Sequence, residues 1–275
     1  MGTNPHFLNP AGRLYEFMSA TLAAPDQMQL VDAWGSYVGS SAEGEPSRFL
    51  AGMGALLSLP SQVRDRVDAL PGRPIPGKAQ LVRGVAPAEQ VLSHAWRAAG
   101  MQVGQTRHLF DRGHLTDLET CSQVLNHAAG VEEADDESRF DRVSGEGDTA
   151  EPGAETPLEA VRRLAQEILD EAFAANLPGP VAAAFAEYAH AIIRSVDLFH
   201  LTGPEGVTRE YERFLGGLIR DPELYEAMRN NPGIRDRVKA IAKFITVVGT
   251  AVLVPANVAL GYTHIYAALT TLLGG

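Results

Sequence analysis

One cysteine, Cys121, stands in 275 residues. It excludes an internal disulfide and fits a reducing compartment. Positive charge is scarce too. The 23 Lys and Arg face 34 Asp and Glu, a net charge of −11, and nowhere do the bases gather into the field that phosphate neutralisation requires. Nucleic acid is therefore not an expected partner.

Several motifs are missing. Neither GxxxxGK[ST] nor GxGxxG occurs among the 27 glycines, so there is no phosphate cradle from which to argue nucleotide chemistry. No period-2 alternation runs long enough for a sheet, and no repeat of useful length recurs. The opening MGTNPHFLNP has no charged n-region or apolar h-region. His6 stands where a myristoylation pattern asks for Ser or Thr. Cytoplasmic residence is the expectation.

The most informative absence lies at the other end. From Phe244 to Gly275, thirty-two residues pass without one Asp, Glu, Lys or Arg. About 20 apolar residues suffice to cross a hydrocarbon layer of roughly 30 Å, and Ile241–Gly261 is long enough. Pro255 removes a donor and clashes with the preceding turn, so the run must kink or break into two legs. The polar positions recur at helical steps: Lys239, Lys243, Thr246 and Thr250 in the first leg, Asn257, His264 and Thr271 in the second. A soluble surface helix carries charge on its wet face; hydroxyl, amide and imidazole groups instead suit helices packed together in lipid.

The expectation is an apolar helical hairpin over 239–275. It contacts a membrane or a protein partner through Phe244, Ile245, Val247, Val248, Val252, Leu253, Val258, Leu260, Ile265, Leu269 and Leu272. Upstream, Arg235, Arg237, Lys239 and Lys243 against Asp236 leave a local charge of plus three, which places the body of the protein on the cytoplasmic side, at the inner face of the cell membrane. The competing expectation is a soluble binding or scaffold protein whose hairpin closes its own core or a homo-oligomer interface.

The rest of the chain reads as all-α: helical bundles joined by an acidic linker. The expected parts are an N-terminal helical domain over 1–130, a linker over 131–155, a second bundle over 156–238, and the hairpin. Ten acids and two bases between Val131 and Glu155 leave minus eight of the net charge in a stretch too poor in apolar residues to fold alone.

Asn9-Pro10 reads as a helix start, followed by the stripe Leu14, Phe17, Met18 and Leu22. A second helix is expected from Pro25 and Asp26, carrying Met28, Val31, Trp34 and Val38. A third carries Phe49, Leu50, Met53, Leu56 and Leu57, and a short fourth follows Pro60 and Ser61 with Val63, Val67 and Leu70. Pro71–Pro87 reads as a loop, with helices expected at Ala88–Ala99 and from about Thr116. Thr156, Pro157 and Glu159 form a capping box with proline at the first position. The inward stripe after it is Leu158, Val161, Leu164, Ala165, Ile168, Ala172 and Phe173, with Arg163 one turn from both Glu159 and Glu167. The next helix buries Val181, Phe185, Tyr188, Ile192, Val196 and Phe199. Thr202–Gly206 breaks the chain before Val207, Tyr211, Phe214, Leu215 and Leu218. Asp221 caps a short helix that Asn231, Pro232 and Gly233 close.

Two constellations could carry chemistry. Glu187/His190 and Asp197/His200 have Glu-x-x-His-like spacing, but ten residues apart on one helix they point about 80° from each other, where di-metal bundles place such pairs on different helices. His108, Asp111, His114, Asp117, Cys121 and His127 are dense but match no zinc spacing. A non-enzymatic protein without cofactor is expected, an arrangement that would suit an effector acting on membranes after assembly or partner binding.

Overall fold

The computed structural model describes residues 5–41, 43–72, 74, 76–97, 100–129 and 155–252, with backbone alone for Pro5, 94–97 and 246–252. The protein is all-α: among the described residues no strand occurs, only an isolated antiparallel bridge between Gln29 and Gln102. Two compact units divide the chain, Gly2–Ala128 and Ala129–Gly275. The expected acidic linker, 131–155, lies outside the described residues except for Glu155, and so does the second leg of the expected hairpin, beyond Val252.

In the first unit the helices are α1 (Pro10–Ala23), α2 (Leu30–Val38), α3 (Pro46–Asp68), α4 (Lys78–Leu81), α5 (Val85–Arg97) and α6 (Arg112–Ala128). α1 is the hub, packed on α6, α3 and α2. Its start follows from local chemistry: the Asn9 side-chain oxygen accepts the Gly12 amide at 2.9 Å, and Pro10 needs no partner for a donor it lacks. Asn9 Nδ2 also donates to Ser122 Oγ at 3.0 Å and to Asn126 Oδ1 at 2.7 Å, so the cap that begins α1 also ties it to α6. Leu14, Phe17, Met18, Trp34, Met53, Leu56, Val63, Leu118 and Cys121 form the core beside it. Arg13 is 1% exposed within that core, its guanidinium donating to the Phe7 carbonyl at 3.1 Å and to Gln62 Oε1 at 3.3 Å.

Several sequence expectations need correction here. The second helix does not begin at Pro25 and Asp26: α2 starts at Leu30, because residues 26–30 spend their backbone groups on another segment. Leu30 N donates to Met101 O, Val103 N to Met28 O and Gly104 N to Asp26 O, at 2.8 to 3.0 Å. The expected third and fourth helices are one, α3, with Pro60 buried inside it. Burial on both sides of the proline, at Leu56, Leu59 and Val63, offsets the missing backbone bond, while Leu50 and Leu57 point to water. The loop before α5 contains the short α4, and α6 begins at Arg112 rather than Thr116, since Asp111 Oδ1 accepts the His114 amide at 3.0 Å.

The second unit contains α7 (Pro157–Ala174), α8 (Gly179–Asp197), α9 (Phe199–Arg220), α10 (Pro222–Asn230) and α11 (Pro232–Val252). α7 packs on α8, α8 on α9, α9 on α11 and α11 on α7, which closes a ring of four helices around one core. Thr156 opens α7 with the expected box: its Oγ1 accepts the Glu159 amide, and Glu159 returns a carboxylate oxygen to the Thr156 amide at 2.9 Å. Glu159 is thereby occupied; Arg163 pairs with Glu167 as expected, and with Glu155 in place of Glu159.

The expected break at Thr202–Gly206 is one residue wide. Gly203, at φ 63°, turns the chain within α9 before Pro204, a conformation that glycine adopts without the Cβ penalty. Asp221 caps α10 as expected, accepting from the Glu223 and Leu224 amides.

Candidate functional site

α11 is the element on which the charge-free stretch begins. The stretch is not a separate body at its start, because α11 runs unbroken through 238 and 239, from Pro232 to Val252. Ile234, Val238, Ile241, Ala242 and Ile245 are buried, recurring at helical steps on the face that meets α7 and α9. The hydroxyl of buried Tyr211 on α9 donates to the Val238 carbonyl at 2.8 Å.

Of the expected contact residues, Ile245 therefore lies in the unit's own core, and Phe244 is half-buried. Val247, Val248 and Val252 belong to α11 by their backbone, while Leu253, Val258, Leu260, Ile265, Leu269 and Leu272 lie outside the described residues. Among the described residues no helix is long and apolar enough to cross a membrane.

The four upstream bases do not act as one patch. Arg237 turns inward, with Nε 2.8 Å from Glu167 Oε2 and Nη1 3.7 Å from Glu171 Oε2. Glu167 also takes Arg163 Nη1 at 2.7 Å, and these two guanidinium groups, Arg163 first, hold its carboxyl below the usual carboxylate range. Arg235 sits 3.5 Å from Asp236. Lys239 and Lys243 are exposed. The local positive charge is thus partly spent on α7, clamping the helix that carries the stretch.

A second feature lies on the outer side of the α7–α8 pair. Phe173, expected on the inward stripe, is 64% exposed. It follows Ala172 by one residue, a 100° step, which carries it past the edge of the buried face. Phe173, Leu177, Ala182, Ala183 and Ala186 line an open groove of ≈ 630 Å³, with Glu187 and His190 at its rim. Glu187 accepts from Arg213 Nη2 at 3.1 Å. The alanine run of α8 was the available signal for this groove, since small side chains on one helix leave room for another to approach.

The titratable constellations resolve into local structure. Asp111 and His114 are the cap of α6, and the His114 amide is the first cause of the lowered Asp111 pKa. Asp117 pairs with Arg83, Asp197 with Arg162, and His108 and His127 are exposed. Cys121 is buried, and desolvation pushes its thiol up to about 12, far from the thiolate a nucleophile requires. Among the described residues no three His, Cys, Asp or Glu side chains converge as a metal site would need. No family model, curated protein or solved structure matches the chain.

Proposed function

We propose that the protein is a non-enzymatic helical module that presents its charge-free C-terminal segment to the cytoplasmic face of a membrane. One observation carries this reading. α11 is fixed in the bundle core through Ile234, Val238, Ile241 and Ile245, and the sequence after Lys243 carries no charge to Gly275. A rigid bundle thereby holds one end of a segment whose composition asks for a dry environment. The exposed Lys239 and Lys243 would lie near the anionic headgroups.

The test is flotation of the full chain with anionic vesicles beside a chain ending at Val252, which keeps the whole of α11. The full chain is expected to rise with lipid and the shortened one to stay in the dense fraction with unchanged helical circular dichroism per residue. A full chain that stays dense at saturating lipid overturns the reading.

A second reading rests on a different fact: Ile241, Ala242 and Ile245 are already used by the unit's own core. Under it, the remainder of the segment covers protein surface, and the chain acts as a soluble scaffold or homo-oligomer. Light scattering separates the two, a detergent-free oligomer that ignores vesicles being the scaffold outcome.

A further inference from the structure

α3 has two apolar faces, and the core uses one of them. Met53, Leu56, Leu59 and Val63 are buried in the first unit, whereas Leu50 is 54% and Leu57 41% exposed. Between those two leucines stands Gly54, exposed, with nothing within 4 Å of the place a Cβ would take. Ser47 and Ser61, also exposed, extend the line at both ends. At about 100° per residue all four project within about 60° of Gly54. A surface helix carries charge on its wet face, yet from Ser47 to Ser61 this sector holds no Asp, Glu, Lys or Arg. The hydroxyls of Ser58 and Ser61 donate back to the Ala55 and Ser58 carbonyls, at 2.6 and 2.9 Å, so their donors are spent without water.

What fits this line is its own copy. Outward from Gly54 it reads Leu and then Ser in both directions, Leu50 and Ser47 one way, Leu57 and Ser61 the other. A two-fold axis at Gly54 lays two α3 helices antiparallel, with Leu50 on the partner's Leu57, Leu57 on the partner's Leu50, and each Ser47 beside a Ser61. Those are the reciprocal contacts of an isologous interface. Gly54 falls at the crossing, where the missing side chain lets the backbones approach.

The ends agree in charge. Glu45 precedes the line and Arg64 follows it; antiparallel pairing sets each Arg64 end against a Glu45 end, and parallel pairing sets like on like. Asp65, exposed beside Arg64, weakens that attraction. Glu45 and Arg64 also have partners in their own chain, Arg48 and Glu89, so the ends favour a direction more than they add strength.

We propose that the outer face of α3 is a homodimer seam, two copies of the chain pairing antiparallel about Gly54. A single pair of helix faces about 21 Å long falls below the roughly 1,200 Å² of standard stable complexes, so the association is reversible and depends on concentration. It is independent of the C-terminal segment invoked for membrane contact.

Sedimentation of the full chain up to about 0.5 mM is expected to show a monomer–dimer equilibrium. Leu57→Glu, an exposed change on the side away from the core, is expected to weaken it about tenfold or more, with the helical circular dichroism and thermal midpoint of dilute protein unchanged. Cysteine cross-linking under mild oxidation reads the register, with buried Cys121 left in place. Gly54→Cys is expected to form a disulfide-linked dimer. Ser61→Cys alone is expected to stay reduced, its two copies lying about 21 Å apart, but to link to Ser47→Cys when the two variants are mixed. A chain that is monomeric over the whole range overturns the proposal, as does a dimer that Leu57→Glu leaves intact. Self-association that survives Leu57→Glu but is lost in a chain ending at Val252 assigns the interface to the C-terminal segment instead. Ser61→Cys linking to itself as fast as Gly54→Cys rules out the antiparallel pairing.

Discussion

Tyr211 donates its hydroxyl to the Val238 carbonyl across 2.8 Å of core, joining the middle of α9 to the second turn of α11. The carbonyl belongs to a helix, so it already faces the amide one turn on, and the phenol takes its second lone pair. Burial in turn pushes the Tyr211 pKa far above the ordinary tyrosine value of 10.0, since the phenolate would be stranded without solvent.

Tyr211→Phe keeps the ring and removes the bond, so a loss of about 1 kcal/mol is expected in urea unfolding. The pH dependence has a definite sign. The folded pKa is raised, so the group's contribution is complete below pH 10, the unfolded value. As pH climbs above that, the unfolded chain sheds the proton that the folded one retains, and stability falls. The variant is expected to lose stability less steeply than wild type between about pH 10 and 12. Identical alkaline slopes would remove Tyr211 from the alkaline transition.

Glycines separate crowded from open sites. A Cβ on Gly12 would stand 2.2 Å from the His6 carbonyl oxygen and 2.6 Å from its Cα, backbone atoms that cannot step aside. Gly54, in α3, has nothing within 4 Å. Gly12→Ala is expected to cost about 1–3 kcal/mol by overpacking. Gly54→Ala should gain about 0.5–1 kcal/mol in helix propensity. Thermal unfolding of the two variants gives opposite signs if the contact between α1 and the His6 backbone is as tight as described.

Where local chemistry decides, the sequence can be read directly. Asn9-Pro10, the Thr156 box and Asp221-Pro222 each satisfy free helix amides within three residues, and all three helices start there. Where distant partners decide, it cannot. Pro60 sits inside α3 because burial on both flanks outweighs one lost bond, and residues 26–30 leave the helix because residues 101–104 take their backbone groups. The candidate site divides the same way. Composition marks the charge-free stretch, but that its first turns are core, and that Arg237 points at α7, depends on α7 and α9 being in place.

Cys121 should behave as a buried hydrophobe. With its thiol pushed up to about 12 by desolvation and no exposed surface, thiolate is scarce at pH 8 and reagent cannot reach it. Labelling by a disulfide reagent is expected to be at least tenfold slower in the native chain than in denaturant. Rapid native labelling would mean that the α1–α6 interface opens readily.

The Arg163–Glu167–Arg237 chain is the electrostatic counterpart of the core contact between α7 and α11, and its contribution has a direction in pH. Two guanidinium groups lower the folded pKa of Glu167, so its stabilisation is present above the unfolded carboxylate pKa and is lost as pH falls through the folded one. The side chain is 34% exposed in its pair with Arg237, and solvent screens it. The worth of the pair is therefore about 0.5–1 kcal/mol rather than that of a buried bridge. Glu167→Gln is expected to lower stability by about that amount at neutral pH and low salt, with the difference from wild type shrinking at pH 3 and in molar salt. Chemical denaturation at the two pH values checks it. A difference that persists at pH 3 would mean that Glu167 acts through packing against α11, and charge would then play no part in holding the base of the C-terminal segment.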